Sequence, residues 1–298
     1  MKTLTIAFTF FLLTCSCVFA QQDSSKTYHI VLNNGTEMFG TVIQMQDSVV
    51  VVDAKDIGQV TLLKKNIKSM SKIVAGNFKD GVYWFPNPNA TRYLIGPSAI
   101  PLKAGEGYYQ NTYLVLNSFN VGVTDFLSIG GGFELISTFA TGEPIFYFTP
   151  KVSFNTGKGF HVGGGVLYAS LPTDNHDKLG ITYGIGTYGT DDNNVTVGVG
   201  YGFTNGEFSK RPVFTISGMA RGSKKVAFVT ENWLIPKTEE VFESYNHYRT
   251  KTTYPAYISY GIRFFGEKLS VDLAFINSDE IVRAIVIGIP FVDFVVKF

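Results

Sequence analysis

The sequence predicts an all-β chain: an antiparallel β-barrel of about twelve strands preceded by a small β unit. Three observations predict it. Segments of roughly ten residues alternate apolar side chains with small or polar ones, the period-two pattern of a strand with two unlike faces. The connections between these segments alternate between tight turns and longer loops. The composition is unlike that of a soluble domain: of 298 residues, 45% are hydrophobic, 15% aromatic and 16% charged, with 31 glycines. Ordinary soluble domains carry roughly 25% charged residues. The formal net charge of +1 supplies no field for a polyanion, so no nucleic-acid partner is expected.

Residues 1–20 read as a signal peptide. Lys2 gives the positive end, Ile6 to Leu13 the short apolar core, and Val18-Phe19-Ala20 the cleavage site, so the mature chain begins near Gln21. The apolar core is too short for a helical span of about 20 residues. Cys15 and Cys17 are the chain's two cysteines. Leu12-Leu13-Thr14-Cys15 fits a lipoprotein signal poorly, because the residue before the cysteine is usually smaller. Cleavage after Ala20 leaves no disulfide in the mature chain.

Residues 21–73 are expected to form the small β unit. Tyr28 to Leu32, Phe39 to Ile43, Ser48 to Val52, Gly58 to Leu62 and Ile67 to Met70 read as strands, with Asn33-Asn34-Gly35 as a turn. This order of strands, with its Asn-Gly turn, Phe-Gly strand and valine strand, resembles the small Sm-like or SH3-like barrel. RNA binding, which that likeness brings to mind, suits an exported chain poorly. Lys64, Lys65, Lys68 and Lys72 read as a solvated rim. Residues 74–91 are expected to be a linker or plug segment. Tyr83-Trp84-Phe85-Pro86-Asn87-Pro88-Asn89 is irregular by its prolines and asparagines, and its aromatics suit an interface belt or the stopping of a barrel mouth. The run Asn89 to Leu94, Gly96 to Ala99, Lys103 and Gly105 to Asn111 resembles the entry segment of a group of outer-membrane β-barrel proteins of unassigned function. That resemblance brings no activity to any residue.

The barrel is expected over residues 92–298. Its candidate strands are 92–99, 107–122, 126–138, 145–155, 159–170, 179–189, 194–204, 211–221, 225–234, 254–265, 268–277 and 283–298. Thr124-Asp125, Thr156 to Lys158, Thr190 to Asn193, Gly222 to Lys224 and Gly266-Glu267 are tight turns; the intervening connections are longer. An even strand number puts both ends of the barrel on the short-turn side. On 194–204, Val195, Val197, Val199, Tyr201 and Phe203 share one face. Phe146, Phe148, Val152 and Phe154, and Leu269, Val271, Leu273 and Phe275, do the same on their strands. The opposite faces are too small to fill a barrel of about twelve strands, so the apolar face is expected to meet lipid. In the final segment the alternation changes phase between Ile285, Ile287, Ile289 and Val292, Phe294, Val296, Phe298, which predicts a bulge near Pro290.

Val292, Phe294, Val296 and the terminal Phe298 resemble the insertion signal of Gram-negative outer-membrane β-barrel proteins. The resemblance implies a place in the cell outer membrane, contact with outer-membrane lipid, and recognition by the barrel-insertion machinery. The short-turn side of such a barrel is the periplasmic one, so the even strand number puts both termini in the periplasm. Glu134, Lys151, Glu231, Arg263 and Asp272 are the lumen-facing candidates, with Asp293 and Lys297 beside them. Charges in a narrow lumen must be paired or hydrated. Gly163, Gly165, Gly184, Gly186, Gly198, Gly200 and Gly202 are assigned inward, where they make room for a passage or ease curvature.

The expected function is a narrow channel or ligand passage, with the small unit as a periplasmic docking module for a partner that binds residues 26–73. The alternatives are a closed structural or partner-binding barrel and, third, an outer-membrane enzyme. Of the histidines His29, His161, His176 and His247, only His176 and His247 fall on long loops, and no ligand spacing joins them. No catalytic residue, metal site or cofactor is expected.

Overall fold

The computed structural model describes residues 27–54, 57–73, 78–79, 82–173, 177–244 and 247–298. The signal-peptide reading at 1–20 lies outside them, as does His176. The chain divides into two compact units, Met1–Asn77 and Phe78–Phe298.

The first unit is one antiparallel sheet of five strands: β1 (Thr27–Leu32), β2 (Glu37–Met45), β3 (Val49–Ala54), β4 (Gly58–Leu63) and β5 (Ile67–Lys72), in the order β4-β3-β2-β1-β5. Gly35 closes the β1–β2 turn at φ +87°, a conformation that favours glycine. Alternation in the valine strand turns Val50 and Val52 inward, where they pack with Ile30, Val42 and Leu62. The register of β2 slips between Val42 and Gln44, and the unit's lysines at 64, 65, 68 and 72 are exposed.

The second unit is a closed antiparallel barrel of 12 strands. They are β6 (Gly107–Thr112), β7 (Leu116–Gly122), β8 (Leu127–Glu134), β9 (Ile145–Phe148 and Lys151–Gly157), β10 (Phe160–Ser170), β11 (Lys178–Gly189), β12 (Asn193–Thr204), β13 (Val213–Ser223), β14 (Val226–Leu234), β15 (Ala256–Phe265), β16 (Leu269–Asn277) and β17 (Ile289–Lys297). Each pairs with its chain neighbour, and β17 pairs with β6 to close the ring. At the seam the amide of Phe298 donates to Gly107 O at 2.9 Å. The interruption in β9 falls at Thr149-Pro150, where proline has no N–H to give to the ladder.

The number twelve conceals two compensating differences from the sequence reading. Residues 92–99 form no barrel strand, while 107–122 folds back on itself at Tyr113-Leu114 and supplies two. Because one strand is lost and one gained, the parity of the turns survives. The segment 126–138 ends as a strand at Glu134, and helix α1 (Leu135–Thr141) follows. The bulge expected near Pro290 is absent. Residues 285–288 belong to the loop after helix α2 (Asp279–Ala284), and β17 runs against β16 from Ile276↔Ile289 to Leu269↔Val296 without a shift. The phase change therefore marks a loop boundary, and Pro290 sits beside the strand's first residue, where its missing N–H is tolerated.

The barrel is inside out relative to a soluble protein. On β12, Val195, Val197, Val199 and Tyr201 face outward and are 44–57% exposed. Phe146, Phe148, Val152 and Phe154 on β9, and Ile258, Tyr260, Ile262 and Phe264 on β15, lie on the same outer surface. Inside are Ser153, Thr187, Thr196, Ser217, Ser259 and Ser270, all buried. Gly163, Gly165, Gly198, Gly200 and Gly202 share the inward parity. Gly184 and Gly186 do not: Thr187 and Tyr183 point inward on β11, so those two glycines face out opposite Val199 and Val197. Among the described residues no helix is long and apolar enough to cross a membrane.

Candidate functional site

The lumen is occupied by the chain that enters it. Residues 84–102 run along one side of the barrel interior before the chain turns at 103–106 into β6, and Phe85, Ala90, Tyr93, Leu94, Ala99, Ile100 and Leu102 are buried there. The segment has little regular structure because Pro86, Pro88, Pro97 and Pro101 withhold amides. It folds instead as a loop closed on itself, with the amide of Tyr93 donating to Gly96 O at 2.9 Å and that of Ser98 to Thr91 O at 3.0 Å. Its remaining polar groups must find partners on the wall, since buried backbone groups left unpaired are costly.

The wall supplies those partners through its lumenal charges. The amides of Leu94, Ile95 and Gly96 all converge on the Glu231 carboxylate of β14 at 2.9–3.0 Å, and Trp233 Nε1 donates to it at 2.7 Å. Three successive amides form an anion-binding concavity, so the carboxylate is held without a cation. Arg263 of β15 pairs with Asp272 of β16 through two 2.7 Å bonds and donates to the carbonyls of Asn89 and Tyr93, also at 2.7 Å. Lys151 of β9 donates to the carbonyls of Ser98 at 3.0 Å and Ile100 at 3.1 Å. Thr187 accepts from the amide of Ala99 at 2.7 Å. The Tyr93 hydroxyl bonds Asn194 and Thr196 at 2.6 Å.

At the short-turn end, Arg221 of β13 donates to Phe85 O at 2.9 Å and to Asp192 at 2.8 Å. Its guanidinium also lies within 4.7–5.3 Å of the ring centres of Phe265, Phe85 and Trp84, a cation–π arrangement. Asp191 and Asp192 are in the β11–β12 turn, at the opposite end of the strands from the 171–177 loop, so they make no site with it.

Of the lumen-facing candidates, Lys151, Glu231, Arg263 and Asp272 are brought together around one segment of chain. Glu134 has the inward parity but stands at the long-loop rim, where its carboxylate accepts the amides of Ile136 and Ser137 at the start of α1. Asp293, which is fully buried, faces Arg92 at 3.3 Å. Lys297 pairs with Glu106 at 3.0 Å beside the seam. The sequence reading placed Arg92 in a barrel strand; it belongs to the plug. Arg221, Thr187 and Asn194 were not singled out. The signal for them was the proline-rich aromatic run at 83–89, which has to be anchored somewhere once it enters a lumen.

Most of the plug's wall contacts are with β11–β15, and beyond Lys151 of β9 and Asp293 of β17 space is left along the other wall. A cavity of about 410 Å³ extends from Arg92 and Lys151 to Leu116, Ile276 and Phe291 near the long-loop ends of the strands. Tyr108, Tyr147 and Tyr183 also line it. Val292, Val296 and Phe298 face outward at the seam. The loop 235–255 holds a two-stranded hairpin, Lys237–Ser244 with His247–Thr253. Among the described residues no group of three or more His, Cys, Asp or Glu is placed to hold a metal.

No family model matches the chain, and no curated protein matches it. Solved structures similar to it include three barrels. The NanC porin is 11% identical with a TM-score of 0.39, covering 64% of this chain and 96% of that one. A loop L8 deletion mutant of OmpT, an outer membrane protein of Vibrio cholerae, is 11% identical with a TM-score of 0.32, covering 92% and 96%. Salmonella typhi OmpF in complex with daunomycin is 9% identical with a TM-score of 0.33, also covering 92% and 96%. These likenesses are too distant to carry function, and the closed barrel rests on the chain's own strand pairing.

Proposed function

We propose that this protein is an outer-membrane β-barrel with a plugged lumen, a passage for a small solute or ligand that opens when residues 84–102 move. One observation carries the membrane reading: the apolar residues of the wall face out and the polar ones face in, on a ring with no open edge. Among β structures only such a closed ring satisfies every backbone group within a bilayer. The passage reading is supported by the cavity of about 410 Å³ beside the plug and by the plug's attachment through polar contacts. A structural stopper would more simply be packed with apolar side chains.

On this reading both termini of the barrel are periplasmic, since Gly107 and Phe298 share the end that carries the tight turns. The outward row Val292, Phe294, Val296 and Phe298 serves the barrel-insertion machinery. The five-stranded unit keeps its Sm-like or SH3-like resemblance and serves as a periplasmic docking module. The role calls for no catalytic chemistry.

Planar-bilayer recording tests the passage. The full chain is expected to rest in a closed or rarely open state, and Glu231→Ala, which removes the acceptor for the amides of 94–96, is expected to raise open probability several-fold. Folded, inserted Glu231→Ala protein that never conducts would overturn the passage in favour of a closed structural barrel.

A further inference from the structure

The wall of the barrel is low on one side. β6 and β7 have 6 and 7 residues, whereas β11 and β12 have 12 each. All four begin or end at the same short-turn end of the barrel, so the difference is felt at the other. Five residues correspond to roughly 17 Å of strand. The β6–β7 turn that tops this low wall is apolar and strained. Tyr113 and Leu114 take φ of +54° and +65°, which costs a non-glycine residue about 1 kcal/mol. Leu114 is 75% exposed. A turn in water is more cheaply made from asparagine and glycine. An apolar tip flanked by a tyrosine is instead the chemistry of a membrane interface.

The cavity lies directly behind this rim. Leu116, Ile276 and Phe291 line its upper part, and its lining includes two basic side chains, Arg92 and Lys151, and no aspartate or glutamate. Arg92 is 4% exposed. Its Nη2 faces Asp293 and Leu94 O, but its Nε and Nη1 have no hydrogen-bond partner among the described residues. Lys151 is bonded there to backbone carbonyls alone. Buried donors without acceptors call for an explanation, and an anionic group beside Arg92 gives one.

We infer that the cavity binds a single amphiphile with a carboxylate-like anionic head and an apolar body, taken from the lipid over the β6–β7 rim. The head lies toward Arg92 and Lys151, and the body lies against Leu116, Ile276 and Phe291. Pockets of this size and apolar lining hold small organic ligands. The inference rests on the membrane-barrel reading and concerns the plugged state, because Arg92 belongs to the plug; it does not require the plug to open.

The test uses the full chain in phosphatidylcholine nanodiscs with diazirine-tagged dodecanoate, dodecanol and dodecyltrimethylammonium. Dodecanoate is expected to label Leu116, Ile276 or Phe291 saturably, about tenfold more strongly than the other two probes. Arg92→Gln is expected to abolish that preference while leaving labelling of the outward Phe119 and Val152 unchanged. Leu116→Trp, which fills the upper cavity and leaves Arg92 and Lys151 in place, is expected to remove lumenal labelling and serves where Arg92→Gln does not fold. Water-soluble butanoate is expected not to compete. Competition by butanoate would remove the lipid route. Equal labelling by all three probes, or labelling confined to outward positions on a folded, inserted barrel, would sink the inference and leave the passage reading standing. Failure of the chain to enter nanodiscs would count against the membrane reading itself.

Discussion

Arg263 joins the wall to the plug. It is fully buried, and two of its bonds go to the two oxygens of Asp272. The rest of its guanidinium reaches carbonyls of Asn89, Arg92 and Tyr93 on the plug. Removing one member of a buried pair leaves the other charge without a partner, which costs about 3–5 kcal/mol. Arg263→Ala is therefore expected to destabilise the folded barrel by that order in urea-unfolding measurements. The Arg263→Ala/Asp272→Ala double variant is expected to recover a substantial part, because no lone carboxylate remains. A double variant as unstable as the single one would mean that the plug carbonyls, and not Asp272, dominate the role of Arg263.

Leu114 makes the corresponding point for an element. Its positive φ is a local strain that the β6–β7 turn retains, so Leu114→Asn, which tolerates that conformation, is expected to stabilise the barrel by up to about 1 kcal/mol. No gain in the urea midpoint would show that burial of Leu114 against lipid outweighs the strain. This turn was also invisible in the sequence. Gly107 to Gly122 reads as one alternating run because Tyr113 and Leu114 are the wrong residues for a hairpin, whereas Thr124-Asp125 and Gly266-Glu267 announce theirs. The strands with clean alternation, such as 193–204 and 269–277, were legible to within a residue. Their two faces are set by local pattern alone. The plug was legible only as an irregular segment, since its position depends on partners such as Glu231, 137 residues away from Leu94. The candidate charges Lys151, Glu231, Arg263 and Asp272 were readable as inward from strand parity, but what they face was not. Gly184 and Gly186 were misassigned because glycine carries no facial preference of its own on a strand whose other face, Ile181 to Ile185, is also apolar.

For the whole molecule, the membrane reading makes a measurable demand on the outer surface. Val197 lies near the middle of β12 and is 57% exposed. On a soluble barrel, Val197→Arg would be close to neutral. In a bilayer it is expected to cost about 2–4 kcal/mol, read from reversible unfolding in lipid vesicles. A change below about 0.5 kcal/mol would count against lipid at that face. The position of the plug in the chain has a further consequence. Residues 84–106 are synthesised before every barrel strand, yet several of their anchors, at 231, 263 and 293, come from its last strands. Contacts such as Tyr93 with Arg263 span 170 residues, and pairings this remote in sequence are slow to form. Both ends of the segment lie at one mouth of the ring: Phe85 beside the Asp192 turn, and Lys103 to Glu106 beside Gly122, where the chain continues without a break into β6. The stopper is thus tethered directly to one of the two strands that close the seam, and it stays beside that seam wherever β6 goes.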